Sequence, residues 1–307
     1  MDIHFGPELL VPEWPGSVAC IGTFDGVHLG HQAVIRRAVD RARELQLPCT
    51  LVTFDRHPAA VLHPARAPQA VDSLAANLAA FERLGVSVAL VLPFTAELSQ
   101  TTAQNFFDGV LRDRLRAKEI VVGHDFAFGQ NREGDGNWLA QRLPTSIVEP
   151  FLFDGLRVSS SAVRAAVGEG RMEDAHRWLG RPFRVHSVVV GGQRLGRTIG
   201  YPTLNLARSF NQVVPAYGVY GARASGSFGS YMAAVSIGER PTVNGVGRTI
   251  EAYLLDYPGD EIYGCTVDLD LFFRLRGEER FDSLEAMVAQ IDRDVDDVRL
   301  RMKAEDW

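Results

Sequence analysis

The sequence predicts two architectures in series: a parallel α/β sheet, then an antiparallel β-barrel closed by one helix. Three observations carry that reading. Short apolar runs alternate with helical patterns up to about residue 180. Beyond it, valine- and aromatic-rich runs are separated by glycine and proline with no helical pattern between them. One long amphipathic stretch, "SLEAMVAQIDRDVDDVRLRM", follows those runs.

The N-terminal elements follow from pattern and punctuation. "SVACIGTF" reads as a strand and "HQAVIRRAVDRARELQL" repeats apolar residues at helical spacing. "CTLVTF" is a second strand, and "SLAANLAAFERLG" is a helix closed by Gly85. "VSVALVLPF" is a third strand, and "TTAQNFFDGVLRDRLRA" is a helix opened by a threonine cap. "EIVVGHDF" and "SIVEPF" supply the fourth and fifth strands. Strands alternating with helices imply a parallel sheet with crossover helices on both faces. Ligands of such sheets sit beyond the carboxyl ends of the strands.

The character changes after "EDAHRWLGRPF". "RVHSVVVGG", "GVYGARAS", "SYMAAVSIG", "TIEAYLLDY" and "CTVDLDLFFRL" suggest an antiparallel barrel, and "PTLNL" reads as a further strand. No Gly/Ser or proline linker separates the halves, and the boundary is placed at 180/181. The expected domains are therefore 1–180 and 181–307.

Composition excludes several classes. A net charge of −6 offers no broad basic face for nucleic acid or anionic membrane. No apolar run approaches the roughly 20 residues of a spanning helix. The N-terminal sequence lacks the basic and apolar regions of a signal peptide. Cys20, Cys49 and Cys265 are scattered without metal-type spacing and read as reduced cysteines of a cytoplasmic protein.

Two stretches concentrate chemistry. In "CIGTFDGVHLGHQ", from residue 20, glycines permit tight turns and close backbone approach to a ligand. The helix expected near His31 would direct its unpaired N–H groups at an anion. His28 and His31 can bracket the same anion where charge grows during phosphoryl or nucleotidyl transfer. Downstream, the serines of "RVSSSAVR" can cap a helix and face phosphate, with Arg164 as a planar bidentate donor. The second stretch, "GGQRLGRTIGYPTLNL", combines Gly191, Gly196, Arg197 and Gly200 in a cationic loop able to wrap phosphates. After Pro202, period two puts Thr203 and Asn205 on one side of a strand, where their oxygens suit Mg2+.

The string "GTFDGVHLGHQ" resembles the HxGH signature of the nucleotidyltransferase superfamily, in the form found in bacterial bifunctional riboflavin kinase/FAD synthetases. "TFDRHP", "VVGHDFAFGQNREGD" and "RVSSSAVR" agree with that family in order. "GRTIGYPTLN" resembles the PTxN motif of riboflavin kinases, with Leu204 where alanine is common. "GVYGARA", "SIGERPTV", "TIEAYLLD" and "FFRLRGEERFDSLEAMVAQIDRD" complete the match, which spans nearly the whole chain.

The resemblance implies a Rossmann-like FMN adenylyltransferase domain followed by a riboflavin kinase barrel. It implies His28, His31 and Arg164 as catalytic residues of adenylylation and Glu251 as general base of the kinase. Nucleotide would meet Gly22, Phe24, Gly30, Asp125, Ser159 and Ser160 in the first domain, and Gly191, Gly196, Arg197 and Gly200 in the second. Flavin would meet Asp25, Phe54, Asp55 and Arg276, and Mg2+ would meet Thr203 and Asn205. The implied substrates and products are ATP, riboflavin, FMN and FAD, handled by a monomer or weak homo-oligomer. Phe126 and Phe128 could stack on a ring but equally suit a core, and His57, His63 and His186 are assigned no metal role. Three rivals stay open: a chain retaining one activity, a non-catalytic flavin or nucleotide binder, and an adenylyltransferase of another phosphate ester such as phosphopantetheine. The last leaves "GYPTLN" and Glu251 unexplained.

Overall fold

The computed structural model describes residues 1–6, 14–191, 199–208, 210–242, 245–259 and 262–304. The chain divides into two compact units, Met1–Ser160 and Ser161–Trp307.

The first unit is built on six strands: β1 (Asp2–Phe5), β2 (Ser17–Ile21), β3 (Cys49–Phe54), β4 (Val88–Leu92), β5 (Ala117–Gly123) and β6 (Thr145–Val148). Their order across the sheet is β1-β4-β3-β2-β5-β6, and every pairing is parallel. The chain walks from β2 to β3 to β4, then returns past β2 to place β5 on its other side. That reversal makes the gap between β2 and β5 a topological switch point, where parallel sheets open a crevice for ligands.

Alternation along each strand feeds two separate cores. Val18 and Cys20 of β2 pack with Val34, Ile35 and Val39 of α1 (Leu29–Leu45) and with Leu78 and Phe81 of α2 (Leu74–Leu84). Ala19 and Ile21 point the other way, into a cluster with Phe106, Phe107, Leu111 and Leu115. The first three lie on the β4–β5 crossover helix, α3 (Ala103–Phe106), which continues as a π-helix over Phe107–Arg114, and Leu115 caps its end. Ser73 caps α2 by accepting the Ala76 N–H, and Gly85 ends it at φ 94°, a left-handed position that suits glycine. Of these six strands, β1 is the one absent from the sequence reading. "DIHF" is short and largely exposed at the sheet edge, so it carries no alternation to detect. Cys20 and Cys49 are both buried; a hydrogen bond with Cys49, helped by burial, pushes the Cys20 thiol up and keeps it protonated.

The second unit opens with α4 (Ser160–Glu169, of which Ser160 belongs to the first unit) and α5 (Met172–Leu179). Six strands follow: β7 (Phe183–Val190), β8 (Thr203–Arg208), β9 (Gly218–Gly226), β10 (Gly229–Thr242), β11 (Gly245–Leu254) and β12 (Thr266–Arg276). They close into an antiparallel barrel in the order β7-β8-β11-β10-β9-β12. Phe183, Val185, Val189, Ala222, Val235, Ile250, Ala252 and Leu269 are buried at alternating positions, as a filled small barrel requires. A bulge where Gly221 faces Phe273 and Ala222 faces Leu271 breaks the alternation of β12, so Phe272 and Phe273 are both buried. Helix α6 (Leu284–Ala304) lays Val298 and Met302 against Leu255, Phe272 and Phe273 on the barrel's outside. The expected α/β sheet, antiparallel barrel and C-terminal helix are all present.

Candidate active sites

The turn from β2 into α1 falls at the switch point. Phe24 to Val27 form a tight turn closed by the Val27 N–H donating to the Phe24 carbonyl at 3.2 Å. Gly26 takes φ 79°, the left-handed value that the third residue of a type II turn requires. Val27 follows at φ 44°, where a β-branched side chain is strained by about 1–3 kcal/mol. Its reward is positional, because His28 then caps α1. The helix begins at Leu29, two residues earlier than the sequence suggests, so His31 stands in its first turn.

The histidines expected to act together are together. The His28 ring accepts the His31 backbone N–H through Nδ1 at 3.3 Å. The two imidazoles stack with centroids 3.6 Å apart and planes 22° from parallel. Phe24 stands edge-on to His31 at 5.3 Å and to Phe81 at 5.8 Å, tying the pair to the core. A Cβ on Gly30 would lie 3.1 Å from Cε1 of His28, and one on Gly22 would lie 3.0 Å from the Phe24 ring. Both glycines therefore leave room for the rings of the site. Ser160 donates to the Asp25 carbonyl at 3.0 Å, bringing the serine segment to the same turn.

Three more expected residues sit at the carboxyl edge of the sheet. Phe54 ends β3 and packs edge-on to Phe94 at 5.3 Å; Asp55 follows it, and Asp125 follows β5. Burial works against ionising Asp55, but hydrogen bonds from Arg56 and the Phe94 N–H outweigh it and hold the carboxyl below its usual range. Asp125 is exposed and paired with Arg157. The Asp25 carboxylate accepts the backbone N–H groups of Val71 and Asp72 at 3.0 and 3.2 Å, so it fastens that segment to the turn. Ser159 and Arg164 bracket the start of α4.

In the barrel, antiparallel register assembles the second site. Asn205 of β8 lies directly opposite Glu251 of β11, and Thr203 opposite Tyr253. The Thr203 hydroxyl donates to Glu251 Oε2 at 3.3 Å. Leu206, Ile250 and Ala252 point inward, so Thr203, Asn205 and Glu251 share the outer face. A cavity of about 470 Å³ lined by Leu206, Arg208, Phe210, Arg248 and Ile250 lies elsewhere, since none of the three lines it. Gly200, at φ 87°, leads into β8, and Gly191 is exposed just after β7. Gly196 and Arg197 lie outside the described residues.

Arg276 is placed by a partner the sequence reading did not name. Its guanidinium grips Asp294 of α6 through Nε at 3.0 Å and Nη2 at 2.7 Å, which holds its pKa up. Asp294 is only 5% exposed and also accepts from Gln290 at 2.9 Å. Tyr201 is a second omission. Its ring meets Tyr253 edge-on at 5.0 Å and its hydroxyl donates to Asp292 of α6, which pushes the phenol up to about 12. Helix α6 thus holds both the start of β8 and the end of β12. The helical spacing of Asp292 and Asp294 was legible, but nothing local named their partners.

The histidine turn of the α/β sheet and the Thr203–Glu251 pair of the barrel fit two nucleotide-dependent transferases joined in tandem. A family model described as FAD synthetase matches residues 11–162, and one described as riboflavin kinase matches residues 179–302. A bifunctional riboflavin kinase/FMN adenylyltransferase of Pseudomonas fluorescens is 39% identical over 301 residues, covering 96% of each chain. The protein of the same description from Escherichia coli K12 is 37% identical, covering 91% of this chain and 90% of that one. A crystal structure titled macrolide-efflux protein from Streptococcus pneumoniae shares 31% identity at a TM-score of 0.90, over 97% of this chain and 99% of that one. No helix among the described residues is long and apolar enough to cross a membrane. The chain belongs to the bifunctional riboflavin kinase/FMN adenylyltransferase family.

Proposed function

We infer that the chain makes FMN and then FAD, one transfer in each domain, with adenylylation assigned to residues 1–180 and the kinase to 181–307. In the kinase, the riboflavin 5′-hydroxyl oxygen bonds to the γ-phosphorus of ATP, ADP leaves, and Glu251 takes the hydroxyl proton. In the second transfer, a phosphate oxygen of FMN attacks the α-phosphorus of another ATP and pyrophosphate leaves. Neither step needs a covalent enzyme intermediate, because alignment and charge stabilisation suffice.

The observation that carries this reading is the Thr203–Asn205–Glu251 cluster. An adenylyltransferase alone would have no use for it, and a carrier would not need a carboxylate bonded to the hydroxyl beside it. The donor set also fits Mg2+: a hydroxyl and an amide oxygen leave most positions to water and phosphate, as that ion prefers. When bound, Mg2+ neutralises charge between the phosphates during transfer. Thr203 and Asn205 would hold it, and the glycine-rich segment 191–200, most of which lies outside the described residues, would meet the nucleotide. At the other site His28, His31, Ser160 and Arg164 would stabilise the charged transition state. Gly22, Phe24, Gly30, Ser159 and Asp125 would shape the nucleotide pocket, and Asp25, Phe54 and Asp55 the flavin side. Arg276 would reach flavin while anchored to α6. We place the protein in the cytoplasm as a monomer or weak homo-oligomer that binds no nucleic acid.

Half-reaction assays on the intact chain test this. His28→Ala with His31→Ala should abolish FAD formation, by 10²-fold or more on the order of a lost transition-state contact set, while FMN formation continues. Glu251→Ala should abolish FMN formation by about 10²–10⁴-fold yet still convert supplied FMN to FAD. Loss of both activities from either change in a folded protein would refute separate sites.

A further inference from the structure

We propose that Asn77 is a positioning residue for FMN adenylylation, acting on the His28–His31 pair through the backbone turn beneath it. This inference rests on the assignment of that pair to adenylylation.

Asn77 lies in the first turns of α2, is 7% exposed, and reaches neither histidine by any described contact. Its Oδ1 accepts the backbone N–H of Gly26 at 3.1 Å, a buried hydrogen bond across 51 residues of sequence. Gly26 is the left-handed third residue of the Phe24–Val27 turn, whose closing hydrogen bond runs from the Val27 N–H to the Phe24 carbonyl and does not use the Gly26 N–H. A buried N–H at that place needs an acceptor from elsewhere in the fold, and Asn77 supplies one. The next residue, Val27, holds φ 44°, a conformation that valine keeps only when its surroundings enforce it.

Val27 joins the turn directly to His28, whose Nδ1 caps α1 and whose ring stacks on His31 at 3.6 Å. The turn is held on its other sides by Asp25 bonding Val71 and Asp72 and by Ser160 bonding Asp25. Asn77 is the side chain that grips its apex. Withdrawing that acceptor removes this hydrogen bond from the Gly26 N–H, and the nearest response is rotation of the Asp25–Gly26 peptide that carries it, the central peptide of the turn. Rotation there would swing the His28 ring out of register with His31 and with phosphate. Substrate affinity elsewhere in the pocket would not change.

The test uses the full-length chain and measures both half-reactions for Asn77→Leu, Asn77→Ser and Asn77→Asp. Leucine keeps the volume without an acceptor, serine is too short to reach, and aspartate keeps the acceptor in place. The expected result is a tenfold or greater fall in adenylylation kcat for leucine and serine, with KM for ATP within twofold of wild type. Aspartate should stay within about threefold of wild type, and all three should retain riboflavin kinase activity. Should leucine prevent folding of the first unit, serine gives the same arm. Unchanged kcat in the serine variant, or an aspartate variant as impaired as serine, overturns the proposal. His28→Ala with His31→Ala runs alongside: if that variant still makes FAD, the assignment of the pair fails. If it is inactive while the Asn77 variants are normal, only the present inference fails.

Discussion

The two sites are built in opposite ways. At the His28–His31 pair, geometry comes from a loop: left-handed residues at 24, 26 and 27, a helix cap, and hydrogen bonds from three segments distant in sequence. At the Thr203–Glu251 pair, it comes from regular structure, because antiparallel register and period-two alternation alone put Asn205 opposite Glu251. A loop-built site is sensitive to backbone and second partners. A strand-built site is sensitive mainly to the side chain itself and to whatever fixes the wall around it.

The largest effect expected from that contrast lies at the anchor between the end of β12 and α6. Asp294 and Arg276 form a two-pronged pair that is mostly buried, with side-chain exposures of 8% and 18%. Asp294→Ala leaves the guanidinium with only the Gly277 carbonyl and a distant Glu279 and should destabilise the barrel unit by about 3 kcal/mol, the range for removing one partner of a buried pair. Adding Arg276→Met to it should restore much of that loss, since no charge is then left buried. Chemical denaturation of the single and double variants checks both expectations. A double variant as unstable as the single one would mean that the pair itself, not the stranded charge, holds the helix.

The mirror experiment strikes the loop-built site through space rather than charge. Gly30→Ala puts a Cβ 3.1 Å from Cε1 and 3.2 Å from Nδ1 of His28, closer than the ring can accept without moving. A displacement of a few tenths of an ångström should cost about tenfold in adenylylation, given that about 1 Å can cost 10²-fold. Kinase turnover in the same chain should be unaffected. Equal adenylylation rates in alanine and wild type would show that the loop yields more easily than its packing implies.

The same contrast explains what the sequence disclosed. The barrel site was legible because alternation is a local code: once 203–206 and 250–254 are strands, Thr203, Asn205 and Glu251 must project to one face. The sheet and its helices were legible from periodicity and caps, Gly85 among them. The π-helical end of α3 and edge strand β1 were not, because neither leaves a period that differs from its neighbours. At the histidine turn, glycine spacing announced the turn, but Val27 contradicts its own propensity by taking φ 44°. Asn77 reads only as a weak helix former, and its role depends on a contact 51 residues away. The roles of Asp292 and Asp294 were hidden for the same reason, since charge on a helix reads as solvated until its partner is found.

The smallest expected effect is a pH response confined to the barrel. Asp268 of β12 bonds His186 Nδ1 at 2.8 Å, and Arg184 Nη1 lies 3.2 Å away. The hydrogen bond with His186, then the charges of His186 and Arg184, hold the carboxyl below the usual aspartate range. Because the folded value is depressed, the unfolded chain takes up this proton first as pH falls. The contribution to stability is therefore present above the unfolded aspartate value, about 3.9, and disappears as pH drops through the lower folded value. The group is more than a third exposed, so solvent screening limits the gain to at most about 1 kcal/mol. Thermal melts of wild type and Asp268→Asn should differ above about pH 4 and converge as pH falls through the lower folded value. Curves separated by a constant amount across that range would mean that the ionised carboxylate contributes nothing beyond the neutral amide's packing.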